Sequence, residues 1–260
     1  PRESIEFFCR AHVVELPAVL GELRTAAEQD RRSGRVGAVA TYQVTLADVL
    51  YRRFMPAAVL VALTIGGGLG GLILAALSLN FLPGAAAPAL VQAHANAQVY
   101  GFIALMAMGF AYQALPRFKM TTLWGARLAY TSLFLMLGGV LSRFAVAFFS
   151  DWPGYTAGVL ASALLQLSAG GIFALVMAIT FRRSGRRDRW DQFVYAALFW
   201  LVVSAALNVI APVLPGAQPY LIPVQLLGFM GFLIFGVSLR FLPPALGFPA
   251  PKRDLAPPLF

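Results

Sequence analysis

Six apolar runs, at about 56–80, 88–115, 125–149, 155–181, 191–214 and 219–243, constrain this chain more than any other feature. Each reaches the ~20 residues that a helix needs to cross hydrocarbon. Within lipid every backbone N–H and C=O must be paired inside the protein, so only helices and closed barrels span a bilayer. The residue alternation of a barrel strand is absent. The expected fold is therefore all-α: a polytopic membrane protein with six transmembrane helices over residues 54–245. A cytoplasmic amphipathic helix and linker (1–53) precede them, and a cytoplasmic tail (246–260) comes after. A chain that is 59% hydrophobic and 12% charged has the composition this fold requires.

The loops set the orientation. Segments 81–87, 150–154 and 215–218 carry no Lys or Arg, whereas the N-terminal segment, the alternate loops with their flanks and the tail carry 19 of the 20 basic residues. The positive-inside rule then puts both termini in the cytoplasm. The net charge of +9 would point to nucleic acid in a soluble protein, but here topology accounts for it and no nucleic-acid partner is expected. The first run, starting near Met55, is too long for a secretory signal peptide. The exception among the basic residues is Arg143, inside the third run near its outer end.

Before the first run, residues 4–29 read as an amphipathic helix. Ile5, Phe8, Val13, Leu16, Leu20 and Leu23 recur at helical spacing and Ser4 can cap the start. Its apolar face suits a membrane surface or a partner. Thr45–Arg53 reads as a short helix leading into the bilayer. Cys9 and His12 have the spacing of half a zinc site, but no second pair exists.

Two patterns lie inside the runs. The Gly66-Gly-Gly-Leu-Gly-Gly71 cluster lacks the Lys-Ser/Thr of a phosphate loop, and reads as a surface for close helix packing. Gln98, Gly101, Phe102, Gly109 and Leu115-Pro116 recur as Gln225, Gly228, Phe229, Gly236 and Leu242-Pro243, with one constant offset between the copies. Duplicated membrane halves often form a site between them.

Polar residues inside the runs are the candidate site, because intramembrane polar groups are costly and tend to be functional. At a rise of ~1.5 Å per residue, His94, Arg143, Asn208 and Gln225 fall at one level in the outer half of the bilayer. Gln98 shares a helix face with His94. His94 has three readings: a haem ligand, a copper ligand, or an interior histidine hydrogen-bonded to Asn208 or Gln225. Arg143 either snorkels outward, toward Asp151, or meets an anion such as a haem propionate. Trp152, Trp190, Tyr155, Tyr195 and Tyr220 read as interfacial belt residues.

The stretch His94-Ala-Asn96-Ala-Gln98-Val-Tyr-Gly101-Phe102 resembles the second membrane helix of the haem–copper oxidase superfamily. The likeness is nearest to the C-type oxidases and nitric oxide reductases. It is also similar to the NnrS family of haem- and copper-binding membrane proteins. The resemblance covers about one membrane run, with a weaker echo at 219–247. It implies that His94 is an axial ligand of haem b and that Arg143 meets the propionates. It also implies a bacterial cytoplasmic membrane protein in electron transfer or respiration involving nitric oxide or oxygen, with partners in a respiratory-type complex or a homodimer.

The chain departs from that pattern in one respect. The oxidases hold copper with three further histidines, and no other histidine lies in a run here; position 221, opposite His94 in the repeat, is Leu221. Copper is therefore not expected, nor is catalysis by this chain alone. Met106, Met108, Met136 and Met230 lie too deep to be a second axial ligand, so a second subunit or a vacant position is expected. Two alternatives stand beside this: a cofactor-free structural subunit, and a small-molecule transporter with its site between the repeats.

Overall fold

The computed structural model describes residues 5, 6, 9, 14–32, 46–79, 87–185, 187, 188 and 190–247. Ser4, Phe8, His12, Val13, the linker beyond Arg32, the 81–86 loop and most of the tail lie outside the described residues. The fold is carried by helices α1 (Leu16–Arg32), α2 (Leu46–Ser78), α3 (Ala87–Phe118), α4 (Ala126–Ala147), α5 (Tyr155–Arg183), α6 (Asp191–Ile210) and α7 (Gln218–Pro243). The described residues contain no strand. Helices α2 to α7 are each long and apolar enough to cross a membrane.

The boundaries of the six apolar helices follow the sequence with one change, and before them Val14 and Glu15 are not helical, which interrupts the single helix expected over 4–29. The short helix expected over Thr45–Arg53 is not separate, because Leu50 keeps helical angles and α2 runs on from Leu46 to Ser78. Helix α1 begins at Leu16, and Leu20 and Leu23 are exposed on it. Gly125 starts α4 in a left-handed conformation (φ 66°), which glycine adopts without the Cβ penalty.

Successive helices pack side by side, most extensively α2 against α3 and α4 against α5. The core holds an aromatic stack across three helices. Phe54 on α2 meets Tyr112 on α3 edge-on at 5.4 Å between centroids, and Tyr112 meets Phe173 on α5 at 5.2 Å. The Tyr112 hydroxyl lies 3.0 Å from Ser132 Oγ on α4, which gives the one polar atom of the stack a partner. Outward, Leu63, Leu72, Leu79 and Leu227 are about three-quarters exposed. So large an apolar surface is unfavourable in water and favourable against acyl chains.

The internal repeat extends to backbone geometry. Ala97–Ala104 on α3 and Val224–Gly231 on α7 are both wound as π-helix, with the repeat's own offset at each end. Such segments are rare and widen the helix locally. Each packs against the preceding helix through its glycines. A methyl group on Gly101 would come within 2.5 Å of Val61, and one on Gly109 within 2.6 Å of Phe54. On α7, a methyl group on Gly228 would come within 2.8 Å of Trp200, and one on Gly236 within 3.1 Å of Phe193. A single offset also relates the facing residues, Phe54 to Phe193 and Val61 to Trp200. The hairpins α2–α3 and α6–α7 are therefore built alike, with a shorter connection in the second.

Candidate functional site

His94 lies on α3 and its ring rests on the glycine cluster of α2. Nδ1 is 2.8 Å from the Gly66 carbonyl oxygen. A carbonyl only accepts, so Nδ1 carries the proton and donates. A third π-helical segment, Ala62–Gly68, contains that carbonyl. Gly70 makes room for the ring: a Cβ there would stand 2.7 Å from Cε1. Gln98, one turn along α3, fills the matching space over Gly66, where a Cβ would meet its Nε2 at 2.8 Å. The partner of His94 is thus neither Asn208 nor Gln225 but a backbone oxygen on the glycine cluster. Nε2 makes no hydrogen bond among the described residues, and the ring is half-buried.

Gln98 thus keeps His94's face of α3, whereas Arg143, Asn208 and Gln225 find partners elsewhere. Residues two apart on a helix point about 200° from one another. Gln92 and Asn96 therefore share a face turned away from His94, and both find interior partners. Asn96 and Gln166 on α5 exchange two hydrogen bonds, Nδ2 to Oε1 at 3.1 Å and Nε2 to Oδ1 at 2.7 Å. Asn208 on α6 donates to the same Gln166 oxygen at 2.7 Å. Gln166 is fully buried, and Gly139 on α4 lets it in. Three helices are tied by one satisfied amide network, the arrangement that makes buried polar groups favourable between membrane helices. Gln225 on α7 donates to the Tyr100 hydroxyl on α3 at 3.1 Å, joining the two repeats.

Arg143 does not snorkel to Asp151. It is 6% exposed, and its Nη2 donates to Gln92 Oε1 at 3.2 Å. Its Nη1 is buried without a hydrogen-bond partner among the described residues. Gln92 places it on the face of α3 turned away from His94, so the level shared by the expected site residues contains two separate places.

Reading the sequence by apolar runs overlooks a third cluster. Lys119, directly after α3, is fully buried. Its Nζ lies 2.7 Å from Asp191 Oδ2 and 2.9 Å from Asp188 Oδ2. The same ammonium stands 5.4 Å from the ring centres of Phe181 and Trp190. Trp190 is accordingly a wall of this box, 6% exposed, and not a belt residue. Trp152, Tyr195 and Tyr220 are well exposed near helix ends. The available signal was local: Asp188 and Asp191 flank a tryptophan at the start of a run, where a carboxylate needs a partner. The cluster clamps the end of α3 to the start of α6.

An open groove of about 490 Å³ lies between α3 and α7. Its walls are repeat-equivalent: Ile103 with Met230, Met106 with Leu233 and Phe110 with Val237, each pair at the repeat's offset. Met108 and Met136 are buried in the core. No group of three His, Cys, Asp or Glu residues stands together among the described residues. No protein-family model, curated protein or solved structure matches the chain.

Proposed function

We propose that the chain is a haem-binding subunit of a bacterial cytoplasmic membrane complex, with both termini cytoplasmic, in which His94 Nε2 is an axial ligand to haem b. The observation that carries the proposal is the Nδ1–Gly66 hydrogen bond. Metal-binding histidines usually donate their other ring N–H to a carbonyl or carboxylate, which fixes the tautomer and raises the basicity of the ligating nitrogen. Among the described residues His94 alone would hold the iron, and any second ligand would come from another copy or another subunit. When bound, haem supplies reversible one-electron chemistry. The chain's own work is to orient the imidazole through Gly66, to give it space at Gly70, and to hold Gln98 beside it. Electron transfer or gas binding follows from this arrangement, whereas a three-histidine copper site has no residues to form it.

The decisive experiment is an optical spectrum of the natively isolated protein, oxidised and dithionite-reduced, beside His94→Ala. A Soret band with reduced α and β bands that vanishes in the variant is the expected result. A protein without haem bands, isolated with its partners, would leave the second reading: a cofactor-free structural subunit. That reading is favoured by the amide network of Asn96, Gln166 and Asn208, whose polar groups are occupied with one another.

A further inference from the structure

We infer that Arg143 forms a binding site for a monovalent, hydrogen-bond-accepting anion, separate from His94 and reached from the outer side. The ligand is either a free ion such as chloride or nitrate, or the phosphodiester of a lipid head group. Four observations carry this. Arg143 is a permanent cation with five donors, and it is only 6% exposed. Its Nη2 donates to a neutral amide, Gln92 Oε1. Its Nη1 is buried and has no partner among the described residues. The titratable groups beside it among the described residues are the hydroxyls of Tyr100 and Tyr155, and no carboxylate is among them.

A guanidinium so enclosed needs a counter-charge, because an uncompensated buried ion is among the most expensive features a fold can carry. The described residues supply none: their buried carboxylate, Asp191, is engaged by Lys119 at the other end of α3. One negative charge neutralises the site and two would overshoot, which selects a monovalent ligand. The site lies one turn from the end of α4 at Ala147, or about 6 Å along the axis, so it is within reach of the outer interface. The resting surroundings are donors and neutral acceptors, and the open Nη1 gives an anion a strong, charge-assisted hydrogen bond.

The test is a thermal-unfolding titration of the whole purified chain in a phosphate-free maltoside detergent. Chloride or nitrate replaces gluconate at constant ionic strength. A second series stays in gluconate and adds phosphatidylglycerol. Saturable stabilisation of about 5 °C at a hundredfold excess over Kd is expected in one series. A response to chloride or nitrate identifies a free ion, and a response to the lipid alone identifies a head group. Arg143→Gln should abolish the response and Arg143→Lys should keep part of it. No saturable response in either series, or an equal response in Arg143→Gln, overturns the inference. Should Arg143→Gln fail to fold, bromide anomalous scattering from wild-type crystals, or chloride-35 line broadening displaced by nitrate, reads occupancy directly. In phosphatidylglycerol-free detergent, loss of both signals contradicts the free-ion form, and the lipid series then decides the head-group form.

Discussion

The two hairpins α2–α3 and α6–α7 share a backbone design and differ at one place. Both cross through paired glycines, both wind into π-helix at equivalent residues, and both present a glutamine, Gln98 or Gln225, at the same repeat position. One turn earlier on each helix the first hairpin has His94 and the second has Leu221. On the facing helix the first has Gly66 and Gly70, where the second has Ala205 and Val209 at the equivalent positions. Packing is therefore shared between the halves of the molecule while one site was built in only one of them. In that half, the glycines that bring the helices together also free the Gly66 carbonyl and the space that orient an imidazole.

If the hairpins are joined in this way, the largest effect comes from the cluster that clamps them. Lys119→Met leaves Asp191 buried beside an apolar chain and should cost about 3–5 kcal/mol in thermal or detergent unfolding, with much of it recovered by Asp191→Asn. A loss below about 1 kcal/mol would mean that the hairpins are held mainly elsewhere. Next come the crossing glycines. Gly101→Val and Gly228→Val each drive a branched side chain into a neighbour already at contact, and should each cost about 1–3 kcal/mol. Sensitivity at one position only would break the equivalence of the halves. Gln166→Leu strands Asn96 and Asn208 and should cost about 1–2 kcal/mol, measured the same way. The smallest effect is at Gln225→Leu, which loses one bond to Tyr100 and should cost about 0.6 kcal/mol.

Much of the fold was legible because long apolar helices leave long apolar runs in a sequence. The six helices, the glycine packing surface and the internal repeat could all be read from residue type and spacing. The site was legible only as a level. Depth along a helix follows from counting residues, and so His94, Arg143, Asn208 and Gln225 fell together. Which way each side chain faces depends on how the helices are arranged around α3. That arrangement divides His94 from Arg143 and gives Asn208 to Gln166. The partner of His94 was hidden for another reason, since a backbone carbonyl leaves no mark in a sequence. Lys119 was missed because a lysine in a short loop after a span usually faces water. Burial of this one depends on two carboxylates, Asp188 and Asp191, that lie beyond helices α4 and α5 in the chain.

The assignment of His94 as a ligand turns on the protonation of one ring, and the chain has only two histidines. Two-bond proton–nitrogen spectra of histidine-labelled protein, compared with His94→Ala, report it. The prediction is a His94 ring protonated at Nδ1 with Nε2 bare in cofactor-free protein, and ring signals displaced far from the ordinary histidine range when haem is loaded. A ring protonated at Nε2 would contradict both the Gly66 hydrogen bond and the assignment of Nε2 as a ligand.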